Sequence, residues 1–165
     1  MFELKPLSKD ALPAALEKAT RYRLLNEPAE AESICLDVLR SDPENQEALV
    51  ILLLALTDRF GRGYGVSDTR AQELLPRLRN EYERSYYAGI ICERKAKAQL
   101  NHGGPGAGFN AFELFREAML WFEKAEQIRP GSNDDALLRW NTCARIITRN
   151  QLGPRPQENT PLPLE

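Results

Sequence analysis

Ala31-Glu-Ser-Ile-Cys35-Leu-Asp-Val38-Leu-Arg-Ser-Asp-Pro43 decides the fold, because its spacing returns in Ala118-Met-Leu-Trp-Phe122-Glu-Lys-Ala125-Glu-Gln-Ile-Arg-Pro130. In both stretches a small residue, a bulkier one and a second compact one precede a proline at the same intervals. Steps of three and four put the first three residues on one face of an α-helix. Compact residues let a neighbouring helix approach closely, and the proline stops the helix so that the chain can turn back. The segments after the two prolines are alike as well. Pro43-Glu-Asn-Gln-Glu-Ala-Leu and Pro130-Gly-Ser-Asn-Asp-Asp-Ala-Leu each open a further helix with acidic residues in its first turn, which the helix dipole favours.

Working outward, the spacing predicts seven helices and no strand, an all-α fold. Ser8 and Asp10 offer N-caps to a first helix running to about residue 26, with Pro13 in its first turn. Pro28 starts the second, which ends near Arg40. A third, from about residue 46 to 60, is apolar almost all round between Ala48 and Leu56, so it must be covered on several sides. Ser67 or Asp68 caps a fourth through Leu78, with a kink or an early end expected at Pro76. A fifth runs from about 82 to 100. After a glycine-rich loop, Asn110 caps a sixth to Arg129, and a seventh covers about 134 to 149. Residues 1–10 are a lead-in, residues 11–150 the helical domain, and residues 151–165 an extended, mobile tail without periodicity.

The small, aromatic and proline positions resemble the tetratricopeptide repeat, a helix–turn–helix unit of about 34 residues. The best match runs from Leu12 to Asn45, with Ala19 and Tyr22 in the first helix, Asn26-Glu-Pro at the turn, Ala31 in the second helix and Pro43 at its end. The third and fourth helices make a degenerate unit whose turn carries a glycine-rich insertion. The fifth and sixth make another whose turn is lengthened by residues 102–109, and the seventh helix would cap the array. The resemblance implies a helical solenoid whose first helices line a concave groove for a peptide or partner helix.

Composition narrows the function. Twenty-two basic residues against 24 acidic ones give a net charge of −2, so the basic excess of a general nucleic-acid binder is missing. The most apolar stretch, residues 48–56, falls short of the roughly 20 residues a membrane helix needs. The first eight residues lack the basic start and apolar run of a signal peptide, so a cytoplasmic location is expected. Cys35, Cys92 and Cys143 are far apart and the single histidine is His102, which leaves no metal-ligand spacing and implies no metal or cofactor. His102-Gly-Gly-Pro-Gly-Ala-Gly lacks both the nucleophile elbow and the Gly-Lys-Ser/Thr ending of the catalytic loops it resembles. The pairs Asp134–Asp135 and Glu81–Glu83 sit at expected helix starts rather than in a catalytic dyad. No catalytic residue is assigned.

The expected function is therefore a non-catalytic protein-interaction module. Carried over by register, the groove comprises Leu16, Thr20 and Arg23, then Val50, Leu54, Thr57 and Asp58, then Tyr86, Ile90, Glu93 and Arg94. Arg139, Asn141 and Arg145 extend it from the capping helix. The carboxylate clamp of some repeat proteins needs Lys and Asn where this chain has Leu16, Thr20, Val50 and Leu54, so that ligand is disfavoured. An apolar floor ending in Arg94, Arg139 and Arg145 suits a peptide with a hydrophobic anchor and acidic flanks. Three alternatives stay open: a homodimer that buries the groove, a small-molecule or anion binder using residues 102–108, and a groove filled by the chain's own Pro161-Leu-Pro-Leu-Glu.

Overall fold

A computed structural model describes residues 1–157. It is all-helical: among the described residues there are seven α-helices and no strand. They are α1 (Leu12–Leu24), α2 (Pro28–Ser41), α3 (Gln46–Thr57), α4 (Gly65–Leu74), α5 (Glu81–His102), α6 (Ala107–Ile128) and α7 (Asp135–Arg149). The expected caps and ends shift in several places. Ser8 precedes a 3₁₀ turn, Lys9–Ala11, and its hydroxyl caps nothing. Helix α3 ends at Thr57, and Phe60 begins a second 3₁₀ turn. Helix α4 starts at Gly65, ahead of Ser67 and Asp68, and ends early at Leu74, where Pro76 imposes a third 3₁₀ turn. Asn110 lies inside α6; the residue before that helix is Gly106, whose left-handed backbone (φ 75°) suits glycine.

The repeated signature is the interior of the molecule. Ala31, Cys35, Val38, Ala118, Phe122 and Ala125 are all fully enclosed. Each helix packs on the next within two runs, α1 to α4 and α5 to α7, while α1 also meets α3 and α3 meets α5. Helix α3 needs the cover its composition asked for. Eight of its residues, Ala48 to Thr57 with two gaps, are buried. At roughly 1.5–3 kcal/mol for each large side chain so enclosed, that helix is a principal source of stability.

Two cores result. One joins α1–α4 with Ile91 of α5, and the other joins α5–α7; Leu54 and Tyr87 lie against both. Tyr86 and Tyr87 are both half-buried and meet edge-on at 5.1 Å, with Tyr86 tilted against Phe122. Gly89 lies beneath that Phe122 ring, where a Cβ would come within 2.5 Å of a ring carbon. The chain after α7 does not leave the domain at once. Leu152 packs on the second core, and Arg155 stacks over Phe109 and donates to the Asn110 side chain. Pro161-Leu-Pro-Leu-Glu, a candidate occupant of the groove, lies outside the described residues.

The three cysteines are buried and unpaired. Loss of hydration pushes each thiol up to about 12, and burial pushes the Tyr86 and Tyr87 hydroxyls to about 12 also. The unfolded chain releases these protons near the ordinary values of 9.0 and 10.0. Stability from these groups is therefore complete below about pH 9 and falls as pH rises toward 12. The urea midpoint is expected to be flat from pH 7 to 8.5 and to drop between pH 9 and 11. A midpoint that rises with pH in that window would contradict the burial of these groups. In the same protein, iodoacetamide at pH 8 is expected to label the thiols only as fast as the chain opens.

Candidate functional site

The candidate face is built by the last turn of α1, the end of α3, the middle of α5 and the first half of α7. Arg23 of α1 reaches Asp58, the residue closing α3, through Nε at 2.7 Å and Nη2 at 3.1 Å. Arg94 of α5 reaches the same carboxylate from the other side, with Nη1 at 3.2 Å from Oδ1. Asp58 is fixed in turn by its own N–H, which donates to the Leu54 carbonyl at 2.9 Å. Arg23, Asp58 and Arg94 are 35 and 36 residues apart in sequence, and the one carboxylate ties α1, α3 and α5 together. Two-pronged, partly enclosed ion pairs of this kind sit at the upper end of the ~0–1 kcal/mol usual for exposed ones.

Beside that line lies a second carboxylate. Glu93 is wholly enclosed, with Lys97 Nζ at 3.1 Å from Oε2 and Arg139 Nε at 3.1 Å from Oε1. Arg139 Nη2 also donates to Oε2, and the Cys143 thiol lies 3.6 Å from Oε1. This hub ties α7 to α5. A buried carboxylate is tolerable only with several such donors, because its hydration is lost. Four cations (Arg23, Arg94, Lys97, Arg139) thus surround two carboxylates (Asp58, Glu93) on neighbouring parts of one face.

The expected groove residues divide accordingly. Leu16, Thr57, Ile90 and Glu93 are buried, which corrects their assignment as contact residues. Leu16 shares a stripe with Leu12 and Ala19 that faces the first core, while Ile90 belongs to the second. Thr57 turns its hydroxyl onto the Leu54 carbonyl at 2.8 Å. Thr20 and Arg145 are exposed, and Val50, Leu54, Tyr86 and Asn141 are half-buried. The basic end is also corrected. Arg94 and Arg139 are held by carboxylates, so of the three expected arginines only Arg145 has no ion pair among the described residues.

Among the described residues no group of three His, Cys, Asp or Glu side chains could hold a metal ion. Asp134 pairs with Arg129, and Glu83 donates its backbone N–H to the Asn80 cap. No described helix is long and apolar enough to cross a membrane. One feature had no sequence signal: a cleft of about 490 Å³ between the end of α4, α5 and α6, floored by Ser85, Ala88 and Cys92 and walled by Pro76 and Trp121.

No protein family, curated protein or solved structure matches the chain.

Proposed function

We propose that the chain is a non-catalytic interaction module, a tetratricopeptide-like array of helical hairpins that receives a protein segment across α1, α3, α5 and α7. The observation that carries this reading is the Arg23–Asp58–Arg94 line, whose separations of 35 and 36 residues are close to the length of a helical-hairpin repeat. Supporting it, α1 meets α3 and α3 meets α5, as first helices do in stacked hairpins. The two copies of the small-bulky-small signature are enclosed in the second helices of the first and third hairpins. A face stiffened by ion pairs and carrying Thr20, Val50, Leu54 and Tyr86 offers a pre-ordered surface with partly exposed apolar and aromatic groups.

The test uses variants that leave the cores intact. Thr20→Glu changes an exposed side chain on the face, and Leu120→Glu changes an exposed one on α6 as a control. Capture from the native host is expected to lose a specific partner with the first variant and keep it with the second. Equal capture by both would sink the reading. Light scattering on the same samples separates a heterologous partner from a second copy. A dimer of the wild-type chain that Thr20→Glu converts to monomer would assign the face to self-association instead.

A further inference from the structure

The turn after α3 carries three glycines in five residues, Gly61-Arg-Gly-Tyr-Gly65. Only Gly63 needs to be glycine for backbone reasons, with φ at 105°. At Gly61 and Gly65 φ is not positive, and a Cβ would meet nothing within 4 Å. Neither packing nor conformation accounts for those two. Both line a cleft of about 490 Å³ closed on its other side by Ala98, Gln99 and His102 at the end of α5. That volume falls in the roughly 300–1,000 Å³ range of small-molecule sites.

The cleft has a fixed apolar wall. Gln99 donates to the Tyr64 hydroxyl at 2.6 Å, Lys95 lies 5.6 Å above the Tyr64 ring, and the buried Phe60 ring stands 5.7 Å from it. Lys95 is itself neutralised by Asp68 at 2.9 Å. The ionisable groups lining the cleft are then Arg62, His102 and Tyr64. Among the described residues neither Arg62 nor His102 makes an ion pair, and no carboxylate lines the cleft. The loop of residues 103–108, by contrast, is approached by Leu152 at Gly108 and by Arg155 at Gly106.

We propose that this cleft binds a small ligand that joins an oxyanion, a phosphate ester or a carboxylate, to a flat apolar body. Arg62 supplies charge and hydrogen bonds to the oxyanion, His102 donates a ring N–H, and the ring of Tyr64 carries the body. The bare backbone at Gly61 and Gly65 lets the ligand come closer than any side chain would allow. The site is separate from the interaction face and does not depend on it.

The test is a titration of the full chain with phenyl phosphate, with benzoate and with neutral benzyl alcohol, followed by amide NMR. Expected are saturable shifts at Gly61, Gly63, Gly65 and His102 with at least one anion, with Gly103 and Gly104 little changed. Benzyl alcohol is expected to bind at least tenfold more weakly. Arg62→Gln and His102→Gln, both at exposed positions, are expected to weaken the anion about tenfold each, in line with the loss of a charge-assisted hydrogen bond. Response to phenyl phosphate alone would assign the oxyanion to a phosphate ester, and response to benzoate alone to a carboxylate. Absence of saturable shifts at the three glycines overturns the proposal. So does equal binding of benzyl alcohol, or an affinity untouched by both substitutions.

Discussion

Replacing Gly89 by alanine is expected to destabilise the protein by about 2–3 kcal/mol, although alanine is the better helix former by roughly 1 kcal/mol. The new Cβ would stand 2.5, 2.7 and 2.9 Å from three carbons of the Phe122 ring. That ring is fully enclosed and touches Tyr86 as well, so it has no free space to withdraw into. Overpacking then outweighs propensity. For a chain of this size the loss corresponds to a fall of roughly 4–12 °C in Tm. Phe122→Leu should lower stability alone yet cost less in the Gly89→Ala background, because the smaller side chain vacates the contested volume. Thermal unfolding of the four proteins measures both effects. A Gly89→Ala variant as stable as the parent would mean that α5 and α6 do not approach so closely at this crossing.

The second large effect concerns the enclosed carboxylate of Glu93. Arg139→Met removes the donor that meets both of its oxygens and leaves Lys97 and the Cys143 thiol. A buried charge stripped of its partner costs on the order of 3–5 kcal/mol. Because Arg139 is 29% exposed and Lys97 remains, about 3 kcal/mol is expected. Glu93→Leu combined with Arg139→Met should recover much of that loss, since an apolar pair needs no compensation in the interior. Urea unfolding of the two single variants and the double one gives the coupling energy. An Arg139→Met variant within about 0.5 kcal/mol of the parent would show that the hub contributes little.

Legibility in the sequence depended on which interactions are local. Ala31, Cys35 and Val38, and Ala118, Phe122 and Ala125, announced themselves because their spacing is the helix period and their sizes set how close helices come. The all-round apolar run in α3 likewise announced its burial. Helix ends were read less well. Ser67 and Asp68 are good capping residues, yet α4 begins at Gly65, where the turn closing on Phe60 fixes the chain's direction. The ion pairs of the candidate face were not legible in the sequence. Arg94 and Arg139 read as a free basic end because charge in a sequence carries no partner; Asp58 lies 36 residues away and Glu93 lies 46. Ile90 and Leu16 were misplaced by the same limit, since a residue facing a groove and one facing a core differ by only part of a helical turn.

The division into two cores bears on how the chain reaches this structure. Within each core the helices that touch are mostly neighbours in sequence, so either run closes short loops before any long-range contact is needed. The two runs, residues 12–74 and residues 81–149, are then expected to form their own contacts before those between the cores. Leu54 and Tyr87, which lie against both cores, are expected to latch the two local collapses into one cooperative event, so Leu54→Ala should broaden or split the thermal transition.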